Sequence, residues 1–137
     1  MKMAAPRTAR SKDVIPANKY VIGSNVGNQQ NEDIGQIEDI VIDASAGRIA
    51  YAVLSFGGFL GVGNKYFAIP WNAFKFDLAD KKAVLNADDK LLEDAPGFDT
   101  DDWPNFSDTR LGSSIYNHYG YTPHWENSSG RSRAGRL

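Results

Sequence analysis

The residues most suggestive of chemistry lie in one stretch, Ser55-Phe-Gly-Gly-Phe-Leu-Gly-Val-Gly-Asn-Lys-Tyr-Phe-Ala-Ile-Pro-Trp71, where Gly57, Gly58, Gly61 and Gly63 precede Lys65. A phosphate loop uses such glycines to gather amide N–H groups around an anion, and continues Gly-Lys-Ser/Thr into a helix. Gly58 and Gly63 have the right separation, but Asn64 intervenes before Lys65, and Tyr66 stands where the magnesium-binding hydroxyl belongs. The following residues read as a strand, and Pro70 forbids the helix. A dinucleotide fingerprint fails too, because Gly61-Val-Gly63 is followed by Asn64, Lys65 and Tyr66 rather than a third glycine. What remains is a β-hairpin or inter-strand connection. Phe59, Leu60 and Val62 are too apolar for an ordinary solvent loop, so they are expected to cover the mouth of a small barrel or to meet a protein partner.

Other candidate chemistry fares no better. Asp99-Thr-Asp101-Asp102 suggests calcium, yet an EF-hand loop begun at Asp99 would place Trp103, Pro104 and Arg110 at its fifth, sixth and twelfth positions. The segment 99–108 therefore reads as a solvated acidic face with Trp103 packed inward, or at most an opportunistic divalent site. His118 and His124 do not share a helical turn, since Gly120 and Pro123 lie between them. Neither Ser113 nor Ser114 has the strand-turn-helix context that exposes a nucleophile. A metal set of His118, His124 and Glu126 has only composition in its favour. With Cys 0 there is no disulfide, thiolate ligand or cysteine nucleophile. The reading is a protein without catalytic residues, cofactor or metal.

These residues must be carried by a single domain, which is what 137 residues accommodate. Hydrophobic content of 42% is enough for a core, which excludes wholesale disorder. A formal net charge of −2 gives no global case for nucleic acid or an anionic membrane. No run approaches the ~18 apolar residues that span a bilayer, and the N-terminus lacks the apolar core of a secretory signal. A cytoplasmic protein with no membrane insertion is the default expectation. Charge is uneven: Lys2, Arg7, Arg10, Lys12 and Lys19 make a basic start, acids dominate from Asp77 to Asp108, and Arg131, Arg133 and Arg136 end the chain.

Strands should occupy Val21–Val26, Asp33–Ile42, Arg48–Phe56, Lys65–Ile69, Phe74–Phe76 and Ala83–Leu85. Ile40, Val41 and Ile42 break the alternation of the second strand, which a β-bulge or two-sided burial would explain. In the third, Ile49, Tyr51 and Val53 alternate with Ala50, Ala52 and Leu54, so a bulky face opposes a mostly small one. Asn86 can cap a helix from Ala87, stopped by Pro96-Gly97. A weaker helix is expected from Asp108 to about Asn117, followed by an aromatic segment from Tyr116 to Trp125.

The ordered combination Val21-Ile-Gly23, Asp33-Ile-Gly-Gln-Ile-Glu-Asp39, Val41-Ile-Asp43, Gly47-Arg-Ile-Ala-Tyr-Ala-Val-Leu-Ser-Phe-Gly-Gly58 and Phe67-Ala-Ile-Pro-Trp71 resembles the PRC-barrel family. That family is known from the cytoplasmic domain of the photosynthetic reaction-centre H subunit and from the C-terminal domain of a ribosome-maturation factor. The likeness runs from roughly Ala17 to Trp103. It is strongest to small stand-alone bacterial members, which share Ala95-Pro-Gly-Phe98 and Trp103-Pro104. It implies a compact barrel of about six strands acting as a binding or adaptor module, with no catalytic residues to transfer.

The expectation is a mainly β protein, with a flexible basic arm at 1–16 and a small, highly curved six-stranded β-barrel at 17–86. A helical and aromatic extension at 87–126 packs on the barrel, and a disordered basic tail covers 127–137. Val21, Ile34, Ile37, Val41, Ile49, Tyr51, Val53, Phe67, Ile69, Leu85 and Leu92 should form the core. The leading functional reading is a non-enzymatic protein-interaction module that self-associates as a dimer. Its contact surface would be Phe59, Leu60 and Val62 with exposed aromatics Tyr116, Tyr119, Tyr121 and Trp125. The alternative is an RNA- or ribosome-associated accessory factor using Arg48, Lys65, Lys75 and the basic tails.

Overall fold

In a computed structural model of the chain, the described residues are 14–56, 65–123 and 125. A single-turn helix, α1 (Ala17–Tyr20), leads into β1 (Asn25–Gly27). The short connection to β2 (Asp33–Asp43) is organised by Asn28, which is buried. Its Oδ1 accepts from the amides of Gln30 and Glu32, and its Nδ2 donates to the Glu32 carboxylate, so both ends of the buried amide take part in closing one turn. The Asp43 turn then reverses the chain into β3 (Arg48–Phe56).

The strand β4 (Lys65–Pro70) ends at its proline, and a 3-10 turn (Trp71–Ala73) carries the chain to β5 (Phe74–Asp77) and β6 (Lys82–Leu85). Next come α2 (Asp89–Glu93), β7 (Phe98–Asp99) and α3 (Thr109–Tyr119). The sheet order is β5-β6-β1-β2-β3-β4-β7. Neighbours are antiparallel except β1 and β6, which pair parallel with Asn25 opposite Lys82.

Three expectations are corrected here. The sheet has seven strands, not six, because Phe98–Asp99 adds to the edge of β4, held by a 2.9 Å Lys65–Asp99 ion pair. Its end strands β5 and β7 do not pair with each other among the described residues, so the closed barrel is replaced by an open ladder. The cap of α2 is Asp88 rather than Asn86: Asn86 is still tied to the sheet, donating its amide to the Ala73 carbonyl, while the Asp88 side chain accepts from the Leu91 amide at 2.8 Å.

The strand β3 is the spine of the core. Residues 50–54 are all buried, on both faces. Of the two explanations for Ile40-Val-Ile42, the bulge is the one present: the β2–β3 register shifts between Val41 and Ile42, and again between Ile37 and Asp39, while Ile42 stays exposed. Gly35 lets the two strands approach, because a Cβ there would run into the Ser55 carbonyl oxygen. Of the expected core residues, all are buried except Val41 and Ile49, which lie half-buried near the turn of the hairpin.

Candidate functional site

A cleft of about 440 Å³ opens where the β2–β3 hairpin meets the start of α3. Its apolar wall comes from Val41, Ile42, Ala44, Ala50, Tyr51, Phe106 and Trp125, and its polar rim from Asp43, Ser45, Ser107 and Thr109. Local sequence explains the shape. The Asp43 Oδ1 accepts from the Ser45 hydroxyl at 2.9 Å and from the Ala46 amide at 3.1 Å, which folds the hairpin tip back. The bulge turns the end of β2 so that Ile42 remains 60% exposed at the rim. On the other side Asp108 caps α3, accepting from the Arg110 amide at 2.9 Å. That amide, with the Arg110 guanidinium, holds the Asp108 carboxyl below the usual carboxylate range.

Behind the cleft lies an aromatic network. Tyr51 packs against Phe106 (5.6 Å between ring centroids) and Tyr116 (5.2 Å), while Phe106 meets Phe98 (5.8 Å). Phe98, Trp103 and Tyr66 complete it edge-on. Tyr116 also donates its hydroxyl to the Ala50 carbonyl at 2.7 Å, stitching α3 to β3. Gly112 on α3 makes room for the Trp125 ring, since a Cβ there would lie 2.7 Å from that ring. Burial pushes the Tyr51 phenol up to about 12, and raises Tyr116 and Tyr119 as well, with the neighbouring Tyr51 adding to the effect at Tyr116. These phenols stay neutral over the physiological range. The cleft offers apolar walls and a rim of hydroxyls.

The structure divides the sequence-derived contact residues. Phe59, Leu60 and Val62 lie outside the described residues. The exposure anticipated for Tyr116 and Tyr119 is corrected: both are buried, on the inner stripe of α3 with Gly112 and Ile115. Tyr121 is half-buried, and Trp125, also half-buried, lines the cleft. The spacing Gly112, Ile115, Tyr116, Tyr119 is an i, i+3, i+4, i+7 pattern, and that periodicity could have revealed the inward face. Ile42, Phe106 and Thr109 were missed because a hairpin tip and a pre-helix loop meet only in three dimensions.

His118 and Trp103 take structural roles, while His124 and Glu126 lie outside the described residues. His118 donates from Nε2 to the Leu91 carbonyl at 2.7 Å and so ties α3 to α2. Trp103 is 40% exposed, packed on the Phe98 and Tyr66 rings with its indole N–H on the Thr100 carbonyl, so only part of it turns inward. Among the described residues no three His, Cys, Asp or Glu side chains are grouped to hold a metal ion. Lys65, one of the cations considered for RNA, is paired with Asp99, and Arg48 stands opposite Asp43 in the β2–β3 register. No helix of the described residues is long and apolar enough to cross a membrane.

The fold is a mainly β domain built on one seven-stranded sheet. Residues 19–92, more than half of the chain, match the family model of the PRC-barrel domain, and the chain belongs to the PRC-barrel family. Domains of this family are generally non-catalytic. A comparison with curated proteins gives no match.

Proposed function

We propose that the chain is a non-enzymatic protein-interaction module that also self-associates. The observation that supports this reading is the half-open apolar cleft with Ile42 60% exposed at its rim and Trp125 in its wall. An isoleucine held in water beside a lined cavity retains apolar surface that a partner's side chain can bury. The occupant it suits is an apolar side chain of a protein, oriented by the hydroxyls of Ser45, Ser107 and Thr109. Selection from a displayed peptide library tests this. The wild type should enrich peptides with an apolar anchor, and Ile42→Asp should lose them. Equal enrichment by both proteins, or none by the wild type, would sink the cleft as an interaction site. Self-association is read separately by light scattering, where an assembly larger than one chain is expected.

A further inference from the structure

The strand β5 ends the sheet, and its outer side carries no strand among the described residues. The ladder shows which groups face that side. The Asn86 amide donates to the Ala73 carbonyl at 2.9 Å, which makes those two residues the hydrogen-bonded pair next to Phe74 and Leu85. Such pairs alternate in an antiparallel ladder, so Lys75 and Asp77 aim their amides at β6, and Phe74 and Phe76 aim theirs outward. The Phe74 N–H is taken by the Trp71 carbonyl. The Phe76 N–H and C=O project from the open edge.

We propose that two copies of this chain pair antiparallel through β5, on a two-fold axis passing through Phe76; this deepens the self-association reading and rests on it. That register sets Phe76 against Phe76 of the second copy, with their amides and carbonyls exchanging bonds across the axis. It sets Lys75 against Asp77 of the second copy, twice by symmetry, and Phe74 against Leu78. Charges thus meet opposite charges on the solvent face, and rings meet apolar groups on the other. Both Lys75 and Asp77 are exposed. The Asp77 Oδ1 also accepts from the Asp80 amide, which steadies it at the strand end. In the extended sheet each Asp77 lies between Lys82 of its own β6 and Lys75 of the second copy. A lysine on an edge strand normally discourages pairing; here it selects an edge that brings an acid to the facing position, and this chain's own edge does so.

The test is sedimentation velocity on the full chain over a concentration series. The wild type should form a dimer. Lys75→Asp and Asp77→Lys should each weaken it by at least about tenfold, because every attractive pair becomes repulsive. The double variant Lys75→Asp/Asp77→Lys should recover to within about threefold of wild type, although it keeps the added lysine beside Lys82. An equal mixture of the two single variants should form a heterodimer tighter than either homodimer. A wild-type dimer with both single variants undiminished overturns the edge pairing and leaves self-association standing. A wild type that stays monomeric throughout overturns both.

Discussion

At one end of the sheet, β3 and β4 lie under α3 and a network of rings from Tyr51 to Trp125, and even the two-residue β7 is locked by an ion pair. At the other, β5 has an open side and presents Lys75 and Asp77 to water. The contrast separates two jobs. The covered end holds the fold, so substitutions there should register in stability. At the open end Phe74 and Leu85 still join the core, while the exposed Lys75 and Asp77 should contribute little to stability.

The sharpest way to break the comparison is Tyr51→Ala at the centre of the covered end. Removing this fully buried ring, with contacts to Phe106 and Tyr116, should cost about 3–5 kcal/mol, read by denaturant unfolding. Alkaline pH attacks the same place. The folded-state pKa of Tyr51 is raised to about 12 from an ordinary value near 10. Its contribution is therefore fully present below about pH 10 and is lost as pH rises through the folded value, with Tyr116 and Tyr119 shifted in the same direction. Denaturant midpoints should fall steadily above about pH 10; a flat profile there would contradict the burial of these phenols.

Gly112→Val comes next. The new side chain meets the Trp125 ring and the Tyr51 hydroxyl, and overpacking should cost about 1–3 kcal/mol while driving Trp125 off its site. A finer cut compares two tyrosines on one helix. Tyr116→Phe loses the hydroxyl bond to Ala50 and should cost about 1 kcal/mol. The buried Tyr119 hydroxyl has no hydrogen-bond partner among the described residues, so Tyr119→Phe should be neutral or stabilising by up to about 1 kcal/mol. A loss from Tyr119→Phe equal to that from Tyr116→Phe would show that its hydroxyl is satisfied. Smallest of all, Lys75→Asp at the open end should change monomer stability by less than about 0.5 kcal/mol, measured under conditions where the chain is monomeric.

The covered end was largely readable in sequence where the signal is local. Alternating bulky and small residues in Arg48–Phe56 marked a strand buried on both faces, and the run Ile40-Val-Ile42 marked the bulge. Phe98–Asp99 gave no such signal: two residues have no period, and the strand exists because Lys65 and Tyr66 offer an edge. Tyr116 and Tyr119 misled because a phenol in a polar segment suits surface and core alike, and only the helical spacing separates the two cases. The cleft was the least legible feature, since its walls come from segments more than fifty residues apart. The open end raised no expectation at all, because a closed barrel has no edge to consider.

The parallel pairing of β1 with β6 has a consequence for how the chain acquires its shape. The β1-β2-β3 meander is contiguous and can zip from its own turns, but Asn25–Gly27 meets its second neighbour only at Lys82–Val84. During synthesis the β1 edge must wait until that far segment emerges, and closing so long a loop is the slow, entropically costly step. Maturation is thus gated at the seam between the first strand and the sixth. A nascent chain halted before Lys82 would hold the β1-β2-β3-β4 ladder with the flank of β1 vacant, the form most exposed to mispairing and to capture by chaperones.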